Sequence, residues 1–312
     1  MKSRLSRRRF LQATATAATL APFIGNRLAA APASPVRKII PSSGEALSVI
    51  GVGTSRTFDI APGEATQSQL LDVMRAFFDN GGQLIDSSPM YGNAEAVTGE
   101  LLEALDNTGA NVDNLFTATK VWTYGKQEGI EQMQRSMQRL GVERIDLMQI
   151  HNLRDWQVQL ETLREWKAQG RIRYIGITTS HGRYHNELET ILQQQALDFV
   201  QFSYNIDNRS AERRLLPIAH ERGIATLINR PYQRGSLFRK VKGQPLPSWA
   251  SEFDCASWGQ FFLKYIASHP DVTCIIPATS KVKHMVDNMA AGYGRLPDPE
   301  LRKRMIEHLE SL

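Results

Sequence analysis

The sequence predicts an α/β fold in which eight parallel strands and the helices between them form a (β/α)8 barrel, also called a TIM barrel. Short apolar runs rich in β-branched residues alternate with longer amphipathic stretches, and this alternation is typical of a parallel sheet covered by helices. The unit occurs eight times, and right-handed crossovers let eight such units close. No Gly-x-Gly-x-x-Gly follows the first strand, which disfavours the alternative, a doubly wound open sheet.

Eight segments have the composition of buried strands: residues 47–54, 83–88, 115–122, 145–151, 172–179, 198–204, 224–230 and 272–279. Helix patterns lie between them, as in SQLLDVMRAFFDNG, where apolar residues at helical spacing mark one face and Gly81 ends the helix. Ahead of the first strand, RKIIPSSGEALSVIG predicts an N-terminal β-hairpin with Ser43-Gly44 at its turn, capping the barrel floor. We predict one domain over residues 34–312.

Residues 1–33 have the three parts of an export signal. A basic start precedes Ala13–Ile24, which is too short and too weakly hydrophobic for a membrane anchor, and small residues that suit cleavage follow. Ser6-Arg7-Arg8-Arg9-Phe10-Leu11 fits the twin-arginine pattern. We therefore expect the twin-arginine translocase as a partner during export, and a periplasmic mature protein. The alternative is a frayed basic tail that contains adjacent arginines by chance.

The charge balance gives no support for a nucleic-acid partner. The leader holds six of the 37 basic residues and none of the 32 acidic ones, so the remaining chain has a net charge of −1. The isoelectric point of 9.2 therefore belongs to the leader. Cys255 and Cys274 are the two cysteines, so we expect no disulfide framework and a buried thiol at Cys274. The seven histidines are scattered without a ligand motif, so we expect no metal.

Four reactive side chains lie at the ends of successive predicted strands. Asp86 ends the second strand and Tyr91 follows five residues later, while Lys120 ends the third strand and His151 the fourth. In such a barrel these strand ends meet at the C-terminal face, so the four side chains should converge there. Taken singly, each has an ordinary structural interpretation, such as a helix cap for Asp86. Their joint position favours a catalytic site.

This combination of groups is suited to delivering a proton. A phenol with a pKa of about 10 is a poor acid at pH 7. A nearby ammonium should lower that pKa, while a carboxylate holds the ammonium in place. A neutral imidazole can orient a carbonyl oxygen. The sequence thus predicts a general acid beside a polarised carbonyl, as hydride addition requires.

These residues lie in stretches that resemble the aldo-keto reductase family. GGQLIDSSPMYGNAE, TATKVW, IDLMQIHN, GRIRYIGITT and IIPATSKVKHMVDN occur in that order between residues 38 and 292. The resemblance implies a barrel that binds an extended nicotinamide dinucleotide without a Rossmann fold. It also implies that Tyr91 is the proton donor, that Lys120 and Asp86 tune it, and that His151 orients the carbonyl. The implied reaction is reduction of an aldehyde or ketone.

The resemblance covers the cofactor site only in part. Gly53 and Thr54 match a Gly-Thr pair near the ribose, and Ser55 stands where many members have Trp. Gln201 matches the glutamine that holds the carboxamide. The Ser-Asn pair that usually assists it is replaced here by Thr178 and Thr179, so one hydroxyl is kept and one amide is lost.

A further departure follows the seventh strand. Asn229 stands where many members have a Tyr that stacks on the nicotinamide, and Arg230 comes next. The stacking face is therefore lost or supplied by another residue, such as Tyr232. Arg230 and Arg234 are candidates to meet the pyrophosphate, with two hydrated loop arginines as the alternative.

The adenosine phosphate is expected at residues that resemble the family's last loop and helix: Thr279, Ser280, Lys281 and Asn288. Backbone N–H groups at a helix start suit phosphate binding. Two basic residues that clamp the 2′-phosphate in many members are Ala278 and His284 here. Lys281 and Lys283 can substitute for them, so we expect NADPH, with NADH as the other possibility.

The substrate is expected to be a small carbonyl compound. The protein is expected to be a monomer. Trp122 and Asn152, which follow the third and fourth strands, should line its pocket, and an aromatic wall favours an apolar or sugar-like body. The segment 231–256, long for a plain loop, is a candidate cover.

Two other functions are alternatives to carbonyl reduction. An exported nucleotide- or ligand-binding barrel with no or weak turnover is favoured by the departures at Ser55, Thr179 and Asn229, and is opposed by the intact set of four reactive residues. A sugar hydrolase on the same barrel needs two opposed carboxylates. Asp86 has a lysine partner instead, and no second acid ends a strand.

Overall fold

The computed structural model describes residues 34–61, 63, 64, 68–110, 112 and 114–312, and it confirms the barrel. The export signal predicted for residues 1–33 lies outside the described residues. The barrel strands are β3 (Val52–Gly53), β4 (Leu84–Asp86), β5 (Phe116–Val121), β6 (Ile145–His151), β7 (Ile172–Thr178), β8 (Phe199–Ser203), β9 (Ala225–Asn229) and β10 (Cys274–Ile275). Each pairs with the next in parallel. A parallel bridge between Ile50 and Ile275 closes the ring.

The predicted N-terminal hairpin is confirmed. Its strands β1 (Arg37–Ile39) and β2 (Ala46–Ser48) pair antiparallel, and the turn between them uses Gly44 at φ +77°, a conformation that glycine adopts without strain. Ile40 and Leu47 pack inside the barrel against apolar residues near the starts of the strands: Leu84, Phe116, Leu147, Tyr174, Phe199 and Ala225. The hairpin therefore plugs the barrel floor, at the end opposite to the predicted catalytic residues.

Polar contacts hold the hairpin to the barrel. The Tyr174 hydroxyl donates to Glu45 Oε2 at 2.6 Å, and the Arg173 guanidinium bonds both Glu45 and Asp146, the latter at 2.8 Å. Asp146 also accepts a hydrogen bond from the Thr117 backbone N–H at 2.7 Å. The plug is thus fixed by apolar burial on its inner face and by a charged network on its outer side.

Ten α-helices occur in the described chain: α1 (Gln69–Asp79), α2 (Ala94–Asn107), α3 (Lys126–Leu140), α4 (Trp156–Ala168), α5 (His185–Gln194), α6 (Leu215–Glu221), α7 (Ser236–Lys240), α8 (Trp258–Ala267), α9 (Val282–Ala290) and α10 (Pro299–Glu310). The apolar face predicted for α1 is confirmed at Leu70, Met74 and Phe77, whereas Leu71 and Phe78 are only half-buried and Val73 is buried with the first three. The segment 231–256 is not a plain loop, because it contains α7 and two 3-10 turns.

Two further features bear on the sequence predictions. Cys255 and Cys274 are both buried free thiols rather than a bridge, and burial raises the pKa of Cys274. Among the described residues, no helix is long and apolar enough to cross a membrane.

The plug predicts a position-specific loss of stability. Ile40 is fully buried and its neighbour Ile39 is 56% exposed. Ile40→Ala should lower the free energy of unfolding by about 2–5 kcal/mol, since it removes buried methyl groups and leaves a cavity. The matched control Ile39→Ala should change it by less than about 0.5 kcal/mol. Urea unfolding of both variants checks this, and equal losses would contradict the plug.

Candidate active site

A buried ion pair lies at the centre of the barrel mouth. Lys120 on β5 donates to Asp86 Oδ2 at 2.6 Å and to the Ser87 carbonyl at 2.8 Å. Lys120 is fully buried and Asp86 is 2% exposed. Register explains the contact: Asp86 pairs with Ala118 on the neighbouring strand, and Lys120 lies two residues further on the same face. Burial lowers the pKa of Lys120, and the Asp86 carboxylate opposes that shift.

Two glutamines complete the hydrogen bonding of Asp86. Gln149 Nε2 donates to Asp86 Oδ1 at 2.9 Å, and Gln201 Nε2 donates to the same oxygen at 3.0 Å. Gly176 on β7 leaves room for the Gln149 side chain, because a Cβ there would lie 2.9 Å from Gln149 Cγ. Gln149 is a site residue that the sequence pattern did not predict. Its signal was a polar residue in the middle of an apolar strand, which needs a buried partner.

Tyr91 and His151 lie next to the ion pair, so the four predicted catalytic residues come together. The two rings meet edge to face with centroids 5.8 Å apart, and Lys120 Nζ is 5.4 Å from the Tyr91 ring centroid. Burial, followed by the Asp86 charge, raises the pKa of Tyr91. This direction is opposite to the one expected from the sequence. The reason is that Asp86 neutralises the ammonium while burial penalises the phenolate.

The electrostatic surroundings keep His151 neutral. Burial, with the charges of Lys120 and Arg154 acting in the same direction, lowers its pKa to about 2. His151 Nδ1 lies 2.9 Å from Ser88 Oγ, which also accepts the Met90 backbone N–H at 3.3 Å. The Ser88 hydroxyl proton is then available to Nδ1, which leaves the ring proton on Nε2. Ser88 was also missed, because a lone loop serine has no sequence signal.

The residues assigned to the nicotinamide by resemblance lie around the same network. Thr54 Oγ1 is 3.1 Å from the Asp86 carbonyl oxygen, and Gly53 precedes it on β3. Asn229 Nδ2 donates to the Thr179 carbonyl at 3.0 Å and lies 3.4 Å from Gln201 Oε1. Asn229 thus joins the hydrogen-bond network instead of offering a stacking face.

Unsatisfied polar atoms test whether a dinucleotide fits here. Thr179 Oγ1 and Arg230 Nη1 are buried without a hydrogen-bond partner in the described part of the chain. Burial, followed by the like charges of Arg234 and Arg56, lowers the pKa of Arg230. A buried hydroxyl and a cluster of like charges are the surroundings that a carboxamide and a pyrophosphate would satisfy. The residues present therefore fit the cofactor.

The predicted adenosine site lies beside the start of α9. Thr279 Oγ1 accepts the Lys281 backbone N–H at 3.1 Å, and Ser280, Lys281 and His284 are exposed there. Asn288 is buried, and its side-chain oxygen accepts the Tyr232 hydroxyl at 2.6 Å. Tyr232, considered above as a substitute stacking face, is thus held against α9.

The predicted substrate residues flank the reactive groups. Trp122 and Asn152 are both half-buried, and the Asn152 backbone N–H donates to Thr178 Oγ1 at 3.4 Å. The Arg154 guanidinium lies over the Trp122 ring at 4.0 Å. Within the ranges described above, no group of three or more potential metal ligands occurs.

A model of the aldo/keto reductase family matches residues 49–305. The chain belongs to the aldo/keto reductase family. This confirms the family inferred from the sequence motifs, and an aldo/keto reductase is an NAD(P)H-dependent oxidoreductase.

Curated relatives and a solved structure agree with the family. The methylglyoxal reductase YeaE of Escherichia coli (strain K12) is 26% identical over 273 residues, which cover 85% of this chain and 93% of the relative. The NADH-specific methylglyoxal reductase of the same organism is 28% identical over 236 residues, covering 65% and 69%. An aldo-keto reductase of Klebsiella pneumoniae, solved in complex with NADPH, matches with a TM-score of 0.71 at 24% identity, over 88% of this chain and 95% of that one. The last match supports the fold.

The Ser88 contact predicts the protonation state of His151. In protein labelled with ¹⁵N-histidine, long-range ¹H–¹⁵N spectra should show a neutral ring protonated at Nε2 from pH 5 to 8, because the pKa is about 2. Ser88→Ala should raise the fraction protonated at Nδ1. The control Ser87→Ala removes a hydroxyl that bonds Thr54 instead and should leave the tautomer unchanged. A His151 ring that titrates near pH 6.5 would contradict the neutral state.

Proposed function

We propose that this enzyme reduces an aldehyde or ketone to an alcohol with NADPH, and that Tyr91 is the general acid. The family supports carbonyl reduction, and one observation supports the assignment to Tyr91. The Tyr91 ring lies near both the buried Lys120–Asp86 pair and the neutral His151. Tyr91 is the most exposed of these four residues. The Tyr91 hydroxyl therefore carries the proton that a carbonyl compound entering the barrel mouth can reach.

The chain's own groups account for the proton transfer. The nicotinamide cofactor, when bound, supplies a hydride to the carbonyl carbon. His151 can donate a hydrogen bond from Nε2 to the carbonyl oxygen and so orient it. Tyr91 holds its proton because burial raises its pKa, and it gives that proton to the oxygen as negative charge develops there. Lys120 stabilises the phenolate that remains.

Several residues support binding of the dinucleotide. The buried Thr179 hydroxyl can meet the carboxamide, and the arginines at positions 56, 230 and 234 can meet the pyrophosphate. Lys281 and Lys283, exposed at the start of α9, supply positive charge for a 2′-phosphate and favour NADPH. The Klebsiella structure holds NADPH, whereas one Escherichia coli relative is named NADH-specific. Two relatives named methylglyoxal reductases support a small carbonyl substrate.

Loss of the phenol should stop turnover without releasing the cofactor. Tyr91→Phe should lower kcat for an aldehyde by about 10²–10⁴-fold, the usual contribution of a general acid. NADPH affinity, measured by quenching of tryptophan fluorescence, should equal that of the parent enzyme. The control Tyr184→Phe removes a hydroxyl from a tyrosine that is 54% exposed and should keep full kcat.

Two outcomes would overturn the proposal. A Tyr91→Phe variant that keeps its kcat would remove Tyr91 from the acid role. If neither NADPH nor NADH saturates parent protein that is free of bound nucleotide, the cofactor assignment would fail, with Asn229 and Thr179 marking the lost site.

We also propose that the enzyme is exported to the periplasm through the twin-arginine route. The support is the leader itself, with its Arg7-Arg8 pair, the Phe10-Leu11 pair and the small residues that follow. That route carries folded proteins, and a barrel that folds around a dinucleotide in the cytoplasm would arrive with it bound. Retention of the cofactor explains why an enzyme of this kind would need such a route.

Cell fractionation tests the export. Arg7→Lys combined with Arg8→Lys should keep the full-length precursor in the cytoplasm, whereas the parent should reach the periplasm without its leader. Arg4→Lys is the matched control and should be exported normally. Periplasmic protein that lacks nucleotide yet reduces aldehydes with added NADPH would contradict retention of the cofactor, though not export.

A further inference from the structure

The Arg154 side chain occupies an unusual position beside the reactive groups. Its guanidinium lies over the Trp122 ring at 4.0 Å and over the Tyr124 ring at 4.9 Å. Its backbone N–H donates to the His151 carbonyl at 3.2 Å, which fixes it three residues after the end of β6. Neighbouring residues Asn152 and Asp155 have φ values of 54° and 51°, a strained backbone of the kind found at ligand sites.

The guanidinium has donors available. An arginine carries five N–H donors around the edge of its plane, while the two aromatic rings contact the group without using them. Among the residues that the structure describes, no carboxylate or carbonyl accepts from these donors. The nearest acid in sequence, Asp155, instead accepts the Gly125 backbone N–H at 2.8 Å. A guanidinium held by aromatic contacts and lacking an acidic partner is a ready binding site for a planar oxyanion.

An oxyanion bound at Arg154 would lie close to the predicted catalytic residues. The Arg154 charge acts on the His151 ring, and Trp122 directly follows the strand that carries Lys120. A ligand that reaches Arg154 along the Trp122 face would therefore present its other end to His151 and Tyr91. From the sequence alone, the same tryptophan predicts an apolar or sugar-like substrate. The positive charge of the arginine stacked on this tryptophan favours a negatively charged substrate instead.

We propose that Arg154 is a substrate-binding residue, and that the enzyme prefers carbonyl compounds bearing a carboxylate. This inference rests on the proposed carbonyl reduction and names its substrate class. The carboxylate accepts hydrogen bonds from the edge of the guanidinium, and the carbonyl lies toward His151. Such a charge-assisted contact selects between an acid and its neutral ester at equal size.

A matched pair of aldehydes tests the proposal. 4-Carboxybenzaldehyde carries the charge, and methyl 4-formylbenzoate has nearly the same shape without it. The parent enzyme should favour the acid by about 10- to 100-fold in kcat/KM, as expected for hydrogen bonds to a charged group. Arg154→Met should bring that ratio close to one, mainly by raising KM for the acid. High salt should weaken the preference of the parent.

Arg171→Met is the control variant. Arg171 also stacks on a tryptophan, with its guanidinium 3.5 Å from the Trp166 ring centroid, but it precedes β7 at the opposite end of the barrel. This variant should keep the preference for the acid. The comparison separates loss of an arginine–tryptophan contact in general from loss of the charge at position 154.

Three results would overturn the assignment. The first is an equal kcat/KM of the parent enzyme for the acid and the ester. The second is an equal loss of kcat/KM for both substrates in Arg154→Met. The third is a loss of NADPH affinity in that variant as large as its loss of kcat/KM for the acid. If neither aldehyde is reduced, the proposed function fails, and binding then decides the inference alone. If the acid quenches the tryptophan fluorescence of the parent more strongly than the ester does, and Arg154→Met loses this difference, the site is supported. If the parent shows no such difference, the site is overturned.

Discussion

The buried ion pair between Lys120 and Asp86 is the constraint on which the rest of the site depends. Burying one charge without its partner would destabilise the protein by several kcal/mol, so the pair must be complete and fully hydrogen-bonded. The pair and its hydrogen-bond partners come from four strands: Asp86 and the Ser87 carbonyl from the end of β4, Lys120 from β5, Gln149 from β6 and Gln201 from β8. A shift of register in any of these strands would leave a buried charge unsatisfied. The register of these strands and the arrangement of the buried charged groups therefore depend on each other.

The ion pair also sets the protonation states around it. Since Asp86 balances the ammonium of Lys120, the site has little net charge, and burial then dominates the pKa values of its neighbours. The phenol of Tyr91 and the imidazole of His151 are both neutral for that reason. A neutral phenol and a neutral imidazole thus lie side by side, as the proposed proton transfer requires.

The sequence predicted the barrel and the four reactive residues because both depend on local pattern. Apolar strands recur at regular spacing, and polar residues at their ends must meet at one face. It could not predict the contacts that depend on which loop lies beside which. Ser88 and Arg154 have no signature until the fold places them against His151 and Trp122. The direction of the Tyr91 pKa shift was wrong for a similar reason, since the depth of burial cannot be read from spacing.

The closure of the barrel between Ile50 and Ile275 has a consequence for the order of folding. The two segments that seal the ring lie near opposite ends of the barrel's chain, so the seal is a contact of high sequence separation and forms slowly. Until β10 has been synthesised, the outer edges of β3 and β9 are open and can pair with other chains. A nascent chain of this protein therefore depends on its last eighth, from β10 onward, to protect the first barrel strand, β3. The step that closes the barrel therefore also removes the strand edges that are prone to aggregation.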